Sequence, residues 1–351
     1  MHIRSRTLLE PLAYPHGVDR YLDLVRKGRS LGNVRAEVTR VERQTADTVT
    51  IGLRADRRWG GFRAGQHVQV TVEIHGVRHT RCFSLAGSAR TPQRGLELTL
   101  KAHATSTVSK HLREHARPGL VVGLSQAAGD FTLPPSIGGP LVLISAGSGI
   151  TPVLSMLRTL HDDGHRGPVA FVHYARSSAD VLYRDEINTA AALNPNARVL
   201  IVAEGVDGRF RPEHLDTVMP GWTGAATYLC GPPAFMDAVT DTYEAAGALE
   251  QLHVERFTLT LPNPAATAGG RLRFGGSRVE VADDGRSVLE QAEAAGLSPT
   301  FGCRLGICHT CIRRLDAGCV TNAVTGERTA EPGTPVRICV SVADGDVTID
   351  L

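Results

Sequence analysis

The spacing of apolar residues divides the chain into segments with different patterns. From Val34 to Leu133, short runs alternate apolar and polar residues between Gly and Asp turns, as in VRAEVTRVE, TVTIGLRA and HVQVTVEI. Alternation with a period of two predicts β-strands, and their regular spacing predicts an antiparallel barrel or sandwich. The stretch PPSIGGP at 134–140 interrupts this pattern and marks a domain boundary.

After Leu141 the pattern changes to continuous apolar runs that alternate with helical stretches. LVLISAG precedes PVLSMLRTLHDD, VAFVHYA precedes a helix near Val181–Leu193, and TYLCG precedes FMDAVTDTYEAAG. Repeated strand–helix units predict a parallel sheet covered by helices.

The last third of the chain has a different order of elements. Thr258–Gly270 is rich in small residues and Pro, which predicts a linker. Arg271–Leu351 then shows two strands, a helix, a Cys-rich loop and further strands. The pattern therefore predicts an N-terminal arm at 1–33, domains at 34–134, 135–257 and 271–351, and a linker at 258–270.

Composition and charge narrow the class of protein. Of the 351 residues 42% are hydrophobic and 21% charged, which excludes a largely disordered chain. A net charge of +2 gives no reason to expect nucleic-acid binding. No apolar run reaches the ~20 residues of a membrane span, and the N-terminus lacks the apolar stretch of a secretory signal. Seven cysteines without such a signal favour a reducing cytoplasm.

The arm at 1–33 carries six cations and three anions. It contains an amphipathic stretch, VDRYLDLVRK. Such a segment is consistent with a packed or solvated arm, or with a docking arm for a membrane or a partner protein.

The cysteines show the most specific spacing. FGCRLGICHTC followed by RICV places Cys303, Cys308, Cys311 and Cys339 in the pattern C-x4-C-x2-C…C. This is the plant-type ligand spacing for a 2Fe–2S cluster. A zinc site and four ordinary buried thiols are the alternatives, although structural zinc sites more often show two C-x2-C pairs. Cys82, Cys230 and Cys319 lie outside the set.

Two further motifs are weak when each is taken alone. LISAGSGITP places a Gly-Ser-Gly turn between an apolar strand and a helix, where free N–H groups and the helix dipole attract a pyrophosphate. TRCFSLAGS offers an Arg fork, a flat aromatic face and a hydroxyl donor in succession.

Together these motifs resemble the ferredoxin–NADP reductase superfamily, in members that carry a C-terminal plant-type ferredoxin domain. The resemblance covers residues 34–351 and rests on R-x-F-S, AGSGITP, YLCGPP and C-x4-C-x2-C. It implies an antiparallel β-barrel flavin domain, an α/β parallel-sheet nucleotide-binding domain and an α+β ferredoxin domain of the β-grasp type. The segments RHTRCFSLAGS and CRLGICHTC, together with the N-terminal arm, look most similar to actinobacterial reductases that serve membrane fatty-acyl desaturases.

The resemblance implies roles for residues around a flavin. Arg81 would bind the flavin pyrophosphate, Phe83 would lie against the isoalloxazine where the family usually has Tyr, and Ser84 would hydrogen-bond near flavin N5. Lys101 matches a family lysine, and the backbone at Val108 and Ser109 would hold the second phosphate. Ser106 replaces a family glycine, which leaves FMN open, although FAD is still favoured.

The resemblance also implies a nicotinamide site, with NADPH favoured by Arg176 and NADH left open. Glu255 and Phe257 would lie near the flavin, and Ser84 and Cys230 would be the catalytic residues. The residues implied in nucleotide contacts are Gly147, Ser148, Gly149, Ile150, Thr151, Arg176, Cys230, Gly231 and Pro232.

The function implied is an enzyme that moves electrons from NAD(P)H through FAD and a 2Fe–2S cluster to a partner. The expected partner is a membrane fatty-acyl desaturase, with possible peripheral membrane association through it. A soluble ring- or steroid-hydroxylating oxygenase is the alternative. A non-catalytic redox sensor is the alternative from another functional class.

Overall fold

The structure is a computed structural model that describes residues 34–91, 96–102, 106–257, 269–301, 304, 306 and 310–351. The predicted arm at 1–33, most of the linker, and both Cys303 and Cys308 lie outside the described residues. Among the helices that are described, none is long and apolar enough to span a lipid bilayer.

The first domain is an antiparallel sheet that closes into a barrel. Its strand order is β4-β3-β6-β1-β2-β5, and a bridge between Leu85 and Leu98 joins the two ends. Alternate residues of each strand point into one apolar core, as the period-two pattern predicted. The strands are β1 (Val34–Arg43), β2 (Thr48–Ala55), β3 (His67–Ile74), β4 (Val77–Ser84), β5 (Glu97–Lys101) and β6 (Val121–Leu124), with helix α1 (Thr107–His115) between the last two.

The second domain is a parallel sheet of order β11-β10-β7-β8-β9 with an apolar core on each face. Every residue of β7 and β8 is buried, as expected for strands covered by helices on both sides. Its strands are β7 (Leu141–Ala146), β8 (Val169–Ala175), β9 (Ala197–Ala203), β10 (Ala226–Cys230) and β11 (Leu252–Glu255). Its helices are α2 (Ile150–Asp162), α3 (Arg184–Leu193), α4 (Glu204–Asp207), α5 (Pro212–Val218) and α6 (Pro233–Ala245).

The third domain combines a five-stranded mixed sheet, β13-β12-β19-β14-β17, with a three-stranded sheet, β16-β15-β18. Helix α7 (Val288–Ala294) starts with a capping box between Ser287 and Glu290. The strands are β12 (Arg271–Phe274), β13 (Val279–Ala282), β14 (Ile312–Ala317), β15 (Val320–Asn322), β16 (Arg328–Thr329), β17 (Pro335–Arg337), β18 (Ser341–Ala343) and β19 (Val347–Ile349).

A polar network joins the barrel to the nucleotide-binding domain. Arg158 of α2 donates to Glu97 of β5 at 2.7 Å and to Glu186 of α3 at 2.5 Å. Burial alone would lower the pKa of Arg158, but these two carboxylates outweigh burial and raise the pKa. Tyr183 hydrogen-bonds Thr50 of β2 at 2.9 Å from a left-handed backbone conformation. The helix predicted from position 181 therefore begins only at Arg184. The Arg158–Glu97 and Tyr183–Thr50 contacts therefore join the two domains.

Candidate functional site

A cleft of about 470 Å³, here the flavin cleft, lies between the barrel and the nucleotide-binding domain. Strand β4 and the start of α1 form its barrel side, and the loops after β7 and β10 form the opposite side. Its lining comprises His67, Arg81, Cys82, Phe83, Ser84, Thr99, Lys101, Ser106, Val108, Ser109, Ser148, Gly149, Thr151, Gly231, Pro232, Pro233, Glu255 and Phe257.

Two polar groups in this cleft fit an anionic, hydrogen-bonding cofactor. The Ser84 hydroxyl is buried and finds no hydrogen-bond partner among the described residues. Burial, and then the nearby charge of Arg304, lower the pKa of Arg81. A buried donor without a partner and a desolvated guanidinium are both stabilised by a ligand that brings acceptors and negative charge. A flavin nucleotide meets both requirements.

Two ionisable groups, the Glu255 carboxyl group and the His67 imidazole, lie close together in the lining of the flavin cleft. Glu255, at the end of β11, lies with its carboxylate 3.8 Å from Nδ1 of His67. Burial raises the pKa of Glu255 to about 7, and the charge of Asp130 adds to the effect. Near neutral pH this carboxyl group therefore exchanges a proton readily beside the cofactor position.

A second cleft of about 500 Å³, here the nucleotide cleft, lies along the carboxyl edge of the parallel sheet. Lys101, Ser148 and Pro232 line both clefts, so the two clefts adjoin at these residues. Carboxyl edges of parallel strands are the usual position of nucleotide sites in such sheets. Aromatic rings form one wall, with Tyr174 and Phe235 centroids 4.9 Å apart.

The charges in the nucleotide cleft are not equally available. Arg176 already donates to Asp180 at 2.9 Å and lies 3.8 Å from Asp47. Arg209 lines the same cleft, is exposed, and has no salt bridge to a carboxylate of the described residues. Glu204 lies in the same lining. Arg209 is therefore the cation better placed to receive a phosphate.

The glycine loop after β7 and the loop after β10 approach each other closely. A Cβ atom on Gly149 would lie 2.3 Å from the carbonyl oxygen of Cys230, so only glycine fits there. The Cys230 thiol itself is fully buried, and burial raises its pKa well above the ordinary value. It is a neutral thiol behind the cleft wall.

Two cysteines of the predicted cluster are described, and they lie together. Sγ of Cys311 is 3.1 Å from Sγ of Cys339, and both residues are buried. This is longer than the ~2.05 Å of a disulfide. It is also short enough for both sulfurs to bind one metal ion at ~2.3 Å each. The pair fits half of a four-thiolate site.

Most of the expected cofactor residues that are described line one of the two clefts. Gly147 and Arg176 line the nucleotide cleft, and all others except Cys230 and Ile150 line the flavin cleft or both clefts. Cys230 and Ile150 line neither cleft. Cys230 is fully buried behind the cleft wall, and the Ile150 side chain belongs to the apolar core on one face of the parallel sheet. Any nucleotide contact of Ile150 would therefore involve its backbone.

His67 and Arg209 also line these clefts, and neither belongs to a motif that the sequence shows. Arg209 follows β9 at the same sheet edge as Arg176, so its position after a predicted parallel strand was an available signal. His67 is paired with Ser84 across β3 and β4, a register that the sequence does not reveal.

Family models match all three domains in order. They are an oxidoreductase FAD-binding domain at residues 35–133, an oxidoreductase NAD-binding domain at 143–241, and a 2Fe-2S iron-sulfur cluster binding domain at 273–344.

Several named proteins are similar to most of this chain. An NADPH oxidoreductase of Mycobacterium tuberculosis is 34% identical over 95% of this chain and 88% of its own length. The ferredoxin reductase component of 3-ketosteroid-9-alpha-monooxygenase, from the same species, is 30% identical over 70% of this chain and 71% of its own. The solved structure of phthalate dioxygenase reductase has the same fold, with a TM-score of 0.62, 24% identity and coverage of 91% of this chain and 98% of its own. The chain therefore belongs to the ferredoxin–NADP reductase superfamily, as an oxidoreductase with FAD-binding, NAD-binding and C-terminal 2Fe–2S domains.

Proposed function

We propose that this chain is the reductase component of an oxygenase system and passes electrons from NADPH to a separate oxygenase. The observation that carries the proposal is that the two clefts adjoin and share Lys101, Ser148 and Pro232 in their linings. A nucleotide in one cleft and a flavin in the other would meet at these residues. The names of the relatives, which include an oxygenase reductase component, support the oxygenase as partner.

When bound, FAD supplies a hydride acceptor for NADPH, and the 2Fe–2S cluster supplies a one-electron carrier. The chain's residues bind and orient these groups. Arg81 would hold the flavin phosphates, Phe83 would cover the ring, and the Ser84 hydroxyl would donate to it. The backbone at Val108 and Ser109 would hold the second phosphate at the start of α1.

The nucleotide would be held by the loops after β7 and β10, which Gly149 allows to approach. The cluster ligands would be Cys311 and Cys339, together with Cys303 and Cys308 from the same loop. Cys230 would support the nicotinamide site as a neutral, buried group behind the wall, without ionising.

The proposed electron donor is NADPH, because two arginines line the nucleotide cleft. We expect Arg209→Ala to lower kcat/KM for NADPH by roughly 10- to 100-fold, the value of a lost charge-assisted hydrogen bond. The value for NADH should not change. Arg176→Ala should have a smaller effect, because Asp180 already occupies Arg176. An unchanged ratio of NADPH to NADH in Arg209→Ala would assign the donor preference elsewhere.

The electron chain itself is tested by anaerobic titration of the purified protein with NADPH. Flavin and iron–sulfur absorption should bleach together, followed by sustained reduction of cytochrome c. A protein that accepts electrons once and does not turn over would be a redox sensor instead.

A membrane fatty-acyl desaturase is the second candidate partner. The alignment with the mycobacterial NADPH oxidoreductase covers 95% of this chain. Fewer than 33 residues lie outside the alignment, so it includes part of the cationic arm. Deletion of residues 1–33 should abolish recovery of the protein with membranes if the arm docks there. Unchanged recovery would favour the oxygenase.

A further inference from the structure

The aromatic ring of Phe301 contacts two guanidinium groups that come from different domains. Cζ of Arg81 is 5.0 Å from the ring centroid, and Cζ of Arg304 is 4.1 Å from it. Arg81 belongs to β4 of the barrel and lines the flavin cleft. Phe301 and Arg304 flank the predicted cluster ligand Cys303. One ring therefore connects the wall of the flavin cleft to the loop that carries the cluster ligands.

The arrangement is held against two opposing tendencies. The like charges of Arg81 and Arg304 repel, and the charge of Arg304 contributes to lowering the pKa of Arg81. Arg304 also has a backbone φ of +60°, a conformation that side chains other than Gly adopt at a cost. A salt bridge of 2.5 Å from Arg304 to Glu293 of α7 offsets both. Attraction between each cation and the ring face contributes further.

We propose that Phe301 docks the 2Fe–2S domain on the flavin domain and so sets the rate of electron passage between the two cofactors. Phe301 is a positioning residue, because it acts through Arg81 and the cluster loop. The step affected moves one electron at a time: the reduced flavin loses it and one iron of the cluster gains it, with NADPH as the source. The inference rests on the electron chain of the proposed function.

The domains are linked by 258–270, so docking contacts decide how long the cluster stays near the flavin. Removal of the ring leaves two repelling guanidinium groups facing each other across a gap. Phe301→Ala should therefore favour undocked arrangements. Phe301→Tyr keeps the ring face and should preserve docking.

The kinetic test mixes the holoenzyme rapidly with NADPH under anaerobic conditions. In Phe301→Ala we expect flavin bleaching at the wild-type rate and cluster bleaching slower by roughly tenfold or more, since small displacements of reacting groups cost rates of that order. Phe301→Tyr should match the wild type. Iron content and the electron paramagnetic resonance spectrum of the reduced cluster, measured for each variant, exclude simple loss of the cluster.

A second readout does not depend on turnover. Small-angle X-ray scattering of the same proteins should show a larger radius of gyration for Phe301→Ala than for the wild type or Phe301→Tyr. Arg304→Met removes the like charge that repels Arg81, and should therefore not shift the readouts in the direction of Phe301→Ala. Arg313→Met is the matched control, since Arg313 of β14 donates a hydrogen bond to the adjacent carbonyl oxygen of Ile312, within its own strand.

Wild-type cluster reduction and scattering in iron-replete Phe301→Ala would overturn the inference. If NADPH fails to bleach the flavin of the wild-type protein, the proposed function fails instead. The two failures are therefore distinguishable.

Discussion

Glu255 couples the flavin cleft to pH in a way that can be measured. Burial raises its pKa from an ordinary 4.5 to about 7, with a contribution from Asp130, and its side chain is only 18% exposed. The folded protein thus holds this proton more tightly than the unfolded chain does. The group favours folding below pH 4.5, and this contribution is lost as pH rises to about 7.

The size of the effect follows from the pKa difference. At about 1.4 kcal/mol per pH unit, the full loss is about 3 kcal/mol, of which about 2.5 kcal/mol falls between pH 5 and pH 8. Glu255→Gln cannot ionise and should not show this loss. Between pH 5 and 8, the free energy of unfolding should therefore fall by about 2.5 kcal/mol more in the wild type than in Glu255→Gln.

The assay is urea unfolding of the holoenzyme at several pH values, followed by flavin absorbance, which reports on the cleft that contains Glu255. The rate of flavin bleaching by NADPH, measured in parallel, should show an inflection near pH 7 that Glu255→Gln lacks. Glu280→Gln is the control, because Glu280 is an exposed carboxylate whose pKa is lowered by hydrogen bonds from Arg273 and Arg271. Identical pH dependence of unfolding in the wild type and Glu255→Gln would refute the argument.

Three further changes test separate parts of the structure. Gly149→Ala places a methyl group 2.3 Å from the carbonyl oxygen of Cys230, so the two loops must move apart. The Kd for NADPH, measured by difference titration, should rise by roughly 10- to 100-fold at unchanged flavin content. Arg158→Met leaves the buried carboxylate of Glu97 with one fewer cation and should lower the free energy of unfolding in urea by about 3 kcal/mol. As a control, Arg54→Met removes an exposed ion pair with Glu37 and should lower it by less than about 1 kcal/mol. Equal losses in the two variants would contradict the stabilising role of the Arg158–Glu97 pair. Cys339→Ser should abolish iron content and cytochrome c reduction but spare flavin bleaching by NADPH, and retention of iron would exclude Cys339 as a ligand.

The sequence predicted those features that depend on local pattern. The alternating strands of the barrel and the continuous apolar strands of the second domain were identifiable, because side-chain periodicity reports which faces are buried. The cluster spacing was identifiable because thiolates around one metal site constrain the intervening loop. The start of α3 was less accessible, since the left-handed backbone of Tyr183 serves a bond to Thr50, far away in the chain.

The sequence alone thus determined the order and class of the three domains and the chemistry they carry. The signals were the apolar–polar alternation of the strands, the repeated strand–helix units and the cysteine spacing. Only the tertiary structure decided which groups meet. Three features arise between residues distant in sequence: the burial that raises the pKa of Glu255, the availability of Arg209 beside the already paired Arg176, and the contact of Phe301 with Arg81. Burial and charge pairing are properties of neighbours in space, and linear spacing does not contain them.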